Sequence, residues 1–194
     1  MNRLLNAEAA SLVQNVLPSL VVVGEHGAYG TGVVWNDHGL VITNDHVATS
    51  DRPLLTLWDG RTARGEVFAR DRRNDLAAIA IAGRNLTEMK TADSRKLHVG
   101  QLVLALGHPF GVKDAAAFGI VSGVSNSSWM GRHTRQLLQL DLKLAPGNSG
   151  GPIMDAEGRL VGIACMVASP GIALAVPSHL VADFVGHLHR RNVA

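Results

Sequence analysis

Leu144-Ala145-Pro146-Gly147-Asn148-Ser149-Gly150-Gly151-Pro152 is the stretch around which the rest of the chain is organised. A serine crowded by glycines and prolines suits neither a helix interior nor a paired central strand, because glycine raises the entropy cost of ordering and proline removes a donor. The spacing predicts a tight, exposed turn. Such a turn lifts Ser149 Oγ clear of the backbone and lets the N–H groups of Gly147 and Ser149 point into one concavity, the arrangement an oxyanion requires. The same composition also describes a plain surface loop, so its meaning rests on what stands elsewhere. Short apolar runs flank it, Leu137 to Leu142 on one side and Gly151 to Met154 on the other.

These runs belong to a longer series. Leu20 to Val23, Gly32 to Trp35, Leu40 to Thr43, Leu54 to Trp58, Arg61 to Ala69 and Leu76 to Ile81 are β-like segments separated by turn signals such as Asp37-His38-Gly39 and Asp59-Gly60. A more polar passage, Arg84 to His98, reads as a linker. Beyond it Gln101 to Leu106, Ala117 to Val124, Leu137 to Leu142, Gly151 to Met154, Leu160 to Val167 and Ile172 to Val176 form a second set. Strands at this regular spacing, with almost no helix between them, predict an all-β fold with a barrel or sandwich in each half. Leu4 to Leu17 carries apolar residues at helical spacing and is halted by Pro18; Pro177 to Arg191 repeats the pattern as a closing amphipathic helix.

Composition narrows the function. A chain of 194 residues, 46% hydrophobic, can bury a sizeable core. The net charge of +2 comes from scattered Lys and Arg, not from a basic stripe interleaved with aromatics, which argues against nucleic acid as a partner. Cys165 is the single cysteine, so no intrachain disulfide forms, and its apolar setting marks it as a buried small hydrophobe. Met1 to Glu8 lacks the apolar h-region of a signal peptide, and no stretch approaches the about 18 apolar residues of a membrane span. Were the protein exported or anchored, the segment responsible would lie outside this chain, so the compartment is left open between bacterial periplasm and cytoplasm.

A serine hydroxyl is a weak nucleophile at neutral pH. It needs a base to take its proton and a carboxylate to orient that base. His46 lies where the apolar run Leu40 to Thr43 gives way to polar residues, and Asp75 immediately precedes Leu76 to Ile81. Taken singly, His46 reads as a turn cap and Asp75 as an N-cap or solvated loop residue. Taken together, the order His46, Asp75, Ser149 is one of the few in which such triads occur, each member at a strand edge.

The chain resembles the protease domain of HtrA/Deg-type, trypsin-like serine peptidases from Leu12 to about Leu188. The likeness rests on Gly30-Thr31-Gly32-Val33-Val34, Leu40 to Val47, Asn74 to Ile81, Ala105-Leu106-Gly107-His108-Pro109-Phe110-Gly111, Gly119 to Gly123, Pro146 to Pro152 and Gly171 to Pro177. By that resemblance the fold is a pair of six-stranded antiparallel β-barrels with a short helix at each end. Residues 1–92 are expected to hold the first helix and barrel with His46 and Asp75. Residues 93–194 are expected to hold the second barrel, the serine and the closing helix. The resemblance makes His46 the general base, Asp75 its orienter, Ser149 the nucleophile, and the amides of Gly147 and Ser149 the oxyanion hole. It assigns Leu144, Val167 or Ala168, and Ile172 to the substrate pocket. All are aliphatic, which implies cleavage of unfolded or flexible polypeptides after small or medium aliphatic residues, with no metal or organic cofactor.

Several positions depart from the family pattern. Position 108 is His where Asn is usual, and Asp45 replaces a more familiar Asn beside His46, either facing solvent or competing for the imidazole. Lys143 adjoins the pocket, but strand alternation sends it to the face opposite Leu142 and Leu144. The chain ends at the closing helix, leaving no room for the PDZ domain common in the family. The Asn126 to Arg135 loop and the Gly24 to Tyr29 turn are short. No aromatic precedes Tyr29, so the N-terminus gives no support to the trimer that is common among relatives. The competing reading is a resting or inactive peptide-binding module that recognises extended chain by strand pairing. Metal or nucleotide binding is disfavoured: only His187 and His189 sit close on one element, and Gly27-x-x-Gly30-x-Gly32 does not open a helix after a strand.

Overall fold

Strand structure begins at Leu20, with Leu20, Val21 and Val23 buried and Val22 between them half-exposed, and from there the chain is built almost entirely of strands. The computed structural model describes residues 3–25, 28–83, 85–109, 115–127 and 135–191. Phe110 and Gly111, residues 26–27 of the Gly24 to Tyr29 turn and residues 128–134 of the Asn126 to Arg135 loop lie outside them.

In the first half the strands are β1 Leu20–Glu25, β2 Ala28–Val34, β3 Leu40–Thr43, β4 Leu54–Leu57, β5 Thr62–Arg64, β6 Glu66–Asp71 and β7 Leu76–Ala80. They form one antiparallel sheet in the order β5-β4-β1-β2-β3-β7-β6. The run expected as a single strand from Arg61 to Ala69 is divided at Gly65. Its two parts form opposite edges of the sheet, so the sheet has seven strands instead of six and curves into a half-barrel. A Cβ at Gly65 would collide with Ile79 and Leu55, so only glycine lets the chain bend this closely over the core. Around the bend, Gly65 N–H donates to Pro53 O (3.0 Å) and Val67 N–H to Asp51 O (2.9 Å), which ties the two edges to neighbouring chain.

The second half closes fully. β8 Leu102–Gly107, β9 Ala115–Ser127, β10 Arg135–Asp141, β11 Pro152–Met154, β12 Leu160–Ser169 and β13 Ile172–Pro177 form a barrel in the order β10-β13-β12-β11-β8-β9. Closure removes the free edges that an open sheet exposes. Among the described residues the helices are α1 Arg3–Val16, followed by a 3₁₀ turn containing Pro18, and α2 Ser178–Arg191. Each half has its own apolar cluster, around Val23, Leu55 and Ile79 in the first and around Val103, Leu138 and Ile153 in the second. A third cluster crosses between them, joining Leu20, Ile42 and Leu76 to Leu106, Met154 and Val176 and receiving α1 and α2. Truncating Ile42 or Leu106 in it would cost about 2–5 kcal/mol.

The polar passage between the halves is bonded along its length. Met89 N–H donates to Val34 O (2.8 Å), Ala92 N–H to Leu160 O (2.9 Å), and Leu160 N–H to Lys90 O (2.7 Å). At its end Ser94 meets His179 of α2. The His179 ring Nδ1 lies 2.8 Å from Ser94 Oγ and Nε2 lies 2.9 Å from Gln136 Oε1. Ser94 Oγ also accepts from His179 N–H (3.1 Å). A neutral ring fits this network, with the Ser94 hydroxyl donating to Nδ1 and Nε2–H donating to Gln136. Burial, helped by the charge of Arg95, holds the His179 pKa below its usual 6.5. The unfolded chain therefore binds this proton more readily. The stability it contributes is complete above 6.5 and is lost as pH falls through the lowered folded value. Melting curves between about pH 7 and about pH 5 should show Tm falling on acidification, and less steeply in His179→Gln.

Candidate active site

The β3–β7 pairing sets Thr43 opposite Ala77 and so brings the residues after β3 beside those before β7. Asp75 sits there at φ +58°, a left-handed conformation that aspartate tolerates better than most side chains. The bend turns its carboxylate back along β3. Oδ1 accepts from His46 N–H (3.1 Å) and Oδ2 lies 2.8 Å from His46 Nδ1. The Asp75 side chain is 14% exposed and that of His46 49%, so the pair is shielded at the carboxylate and open at the ring. A histidine held in this way keeps its proton on Nδ1 and leaves Nε2 to take up or release another. Asn44, fully buried, supports the bend by donating from Nδ2 to the Asp75 carbonyl (2.9 Å).

Asp45 neither competes for the imidazole nor simply faces solvent. Its Oδ1 accepts from Arg70 Nη1 at 2.7 Å, and Arg70 also reaches Asp51 (3.4 Å), so the ion pair pins the His46 turn to β6.

The Ser149 turn is held from several directions. Asn148 N–H donates to Ala145 O (3.0 Å), Gly151 N–H to Asn148 O (2.9 Å) and Gly150 N–H to Ala164 O (2.8 Å). From the other half, Thr31 N–H donates to Ser149 O (2.8 Å) and Thr31 Oγ1 to Gly147 O (2.8 Å). Gly147 has φ +103°, and a Cβ there would run into the His108 carbonyl. The N–H groups of Gly147 and Ser149 have no partner among the described residues. Amides left unpaired in a turn that is otherwise bonded can receive an oxyanion. Ser149 Oγ donates to Cys165 O at 3.5 Å, a long bond, instead of to the His46 ring. The Cys165 thiol is buried, donates to Leu174 O (3.3 Å), and is pushed up to about 12 by desolvation, so it stays an unreactive apolar group.

Of the other positions singled out by sequence, Leu144, Ala168 and Ile172 are half-buried and Val167 is 47% exposed on β12. Leu144 packs against the second-half cluster and Ala168 against the cluster shared between halves. Lys143 is exposed while Leu142 is buried, as expected, although both lie just beyond the end of β10 at Asp141 and not within a strand. His108 is buried, with its N–H donating to Thr31 Oγ1 (3.2 Å) and its Nδ1 3.4 Å from the same oxygen. Sequence reasoning did not single out Thr31, Asn44 or Arg70. The available signal for Thr31 was its place between Gly30 and Gly32, where an added Cβ would press on Val47 and on Val21 and Val41.

Comparison with known proteins shows the family and the fold. Residues 30–163 match the family model described as trypsin-like peptidase domain. The chain is 35% identical over 169 residues to the periplasmic serine endoprotease DegP of Escherichia coli (strain K12), covering 83% of this chain and 36% of that protein. It is 34% identical over 169 residues to a probable serine protease do-like of Buchnera aphidicola subsp. Acyrthosiphon pisum (strain APS), covering 83% and 35%. The chain thus spans about a third of the length of these curated relatives. Among solved structures it is similar to the HtrA-type protease AlgW with decapeptide, at TM-score 0.85 and 26% identity over 93% of this chain and 67% of that one. The same protease with tripeptide gives TM-score 0.82 and 31% identity, covering 90% and 61%.

Proposed function

Since the chain belongs to the trypsin-like peptidase domain family, we propose that it is a serine endopeptidase in which His46, Asp75 and Ser149 act as the catalytic triad. The observation that carries this reading is the doubly bonded His46–Asp75 pair, because such a pair fixes the tautomer a general base needs. Ser149 Oγ attacks the scissile carbonyl carbon and its proton passes to His46 Nε2. The carbonyl oxygen takes the negative charge and is held by the amides of Gly147 and Ser149. Collapse of the tetrahedral species breaks the C–N bond, and His46 Nε2–H protonates the departing amine. Water repeats the sequence on the acyl-enzyme, with no cofactor required.

The substrate is an unfolded or flexible polypeptide, in keeping with the peptides bound by the HtrA-type structures of similar fold. Leu144, Val167, Ala168 and Ile172 favour a small or medium aliphatic P1 residue. Profiling against a P1 peptide library should return Val, Ala or Leu; a profile led by Arg, Lys or Asp would refute that preference.

Reaction with a fluorophosphonate tests the activity itself. The wild type should label at one site and Ser149→Ala should not. Labelling that persists in the variant, or is absent from the wild type, rejects the triad. The long bond from Ser149 Oγ to the Cys165 carbonyl favours a second reading, a resting peptide-binding state. It predicts an unlabelled wild type that still binds extended peptide.

A further inference from the structure

We infer that Thr31 is a positioning residue that sets the oxyanion-binding turn from the opposite half of the molecule; this rests on the protease reading above. Gly147 lies at φ +103° and carries no side chain, so no side chain of its own steers the turn; the Gly147–Asn148 peptide is held on its N–H side within the turn, by the bond from Asn148 N–H to Ala145 O (3.0 Å). Thr31 supplies the constraint on its carbonyl side. Its hydroxyl donates to the Gly147 carbonyl (2.8 Å) and its N–H to the Ser149 carbonyl (2.8 Å), so one residue of β2 holds both ends of the three-residue segment that offers the amides. Those carbonyls lie in the Gly147–Asn148 and Ser149–Gly150 peptides, on either side of the Asn148–Ser149 peptide that carries the Ser149 N–H, so holding both restricts how that amide can turn.

The clamp is itself anchored. Thr43 Oγ1 donates to Thr31 O at 2.6 Å, and Thr43 ends β3, just before Asn44, Asp45 and His46. His108 meets the same hydroxyl twice, its N–H donating to Thr31 Oγ1 (3.2 Å) and its ring Nδ1 lying 3.4 Å away, while the hydroxyl gives its proton to the nearer Gly147 carbonyl (2.8 Å). Thr31 is fully buried, and Gly150 packs so closely on its carbonyl that an added Cβ would collide there. The histidine strand, through the Thr31 carbonyl, and the serine turn, through the Thr31 hydroxyl and N–H, are thereby referenced to the same residue, 116 positions before Gly147 in sequence.

The test compares Thr31→Val, which keeps the shape and removes the hydroxyl, with Thr31→Ser, which keeps the hydroxyl. The expected result for Thr31→Val is a kcat lower by about 10- to 100-fold, less than the about 10²–10³-fold for deleting a direct oxyanion donor. KM should be unchanged, and affinity for a peptidyl boronate, which forms a tetrahedral adduct, should fall in parallel. Thr31→Ser should restore both. If the valine variant does not fold, Thr31→Ala removes the same hydroxyl in less volume and is read in the same way. A folded variant without the hydroxyl that matches wild-type kcat and boronate affinity overturns the inference, as does a Thr31→Ser variant that is equally impaired. A wild type that fails to label with fluorophosphonate overturns the protease reading, and this inference with it.

Discussion

Asp75→Asn is expected to lower kcat about 10⁴-fold with little change in KM. The reason lies in how the two carboxylate oxygens are used. Oδ1 accepts from the His46 backbone N–H and Oδ2 faces His46 Nδ1, so both must act as acceptors. Asparagine has one oxygen and one NH₂. If the oxygen keeps the backbone bond, the NH₂ faces Nδ1, which must then become an acceptor, and the ring proton moves to Nε2. His46 would then present a proton where Ser149 needs a base. Binding contacts are untouched, so the loss falls on kcat. Steady-state kinetics on a peptide substrate would measure it, with melting curves showing that the fold persists. A loss below about 10-fold would mean that Asp75 does not orient His46.

Ser149→Ala should reduce kcat further, by about 10⁶-fold, leaving only what the amides and binding contribute. The substitution removes a long hydrogen bond to the Cys165 carbonyl, while the bonds that shape the turn run through backbone groups and Thr31. Stability should therefore change by less than about 1 kcal/mol. Adding Asp75→Asn to Ser149→Ala should cost almost nothing more, since residues that act as a unit are not additive. Activity persisting in Ser149→Ala would refute the nucleophile assignment.

Much of the architecture was legible because strand and helix carry different periods. The short apolar run Leu20 to Val23 and the helical spacing of Leu180, Val181, Phe184, Val185 and Leu188 each correspond to an observed element. The division at Gly65 was less visible. Arg61 to Ala69 has the composition of one strand, and only the packing of Ile79 and Leu55 against Gly65 shows why it must bend. The polar passage Arg84 to His98 reads as a linker by composition, yet its backbone bonds to Val34 and Leu160 fasten it to both halves. Backbone pairing of this kind leaves no trace in side-chain pattern.

The candidate site divides in the same way. His46, Asp75 and Ser149 could be selected from sequence because chemistry restricts which residues can serve as base, orienter and nucleophile, and because each stands at the edge of an apolar run. Asp45 could not be read: its pairing with Arg70, at 2.7 Å, spans 25 residues and depends on how β6 lies against the His46 turn. The sequence by itself determined the strand-rich architecture and which residues are candidates for the reactive groups, since these follow from the spacing of apolar runs and from intrinsic functional-group chemistry. Only the tertiary structure decided how the serine turn faces. Glycine leaves that backbone free, and the bonds that hold it combine local ones, such as Asn148 N–H to Ala145 O and Gly150 N–H to Ala164 O, with those from Thr31 in the other half of the molecule.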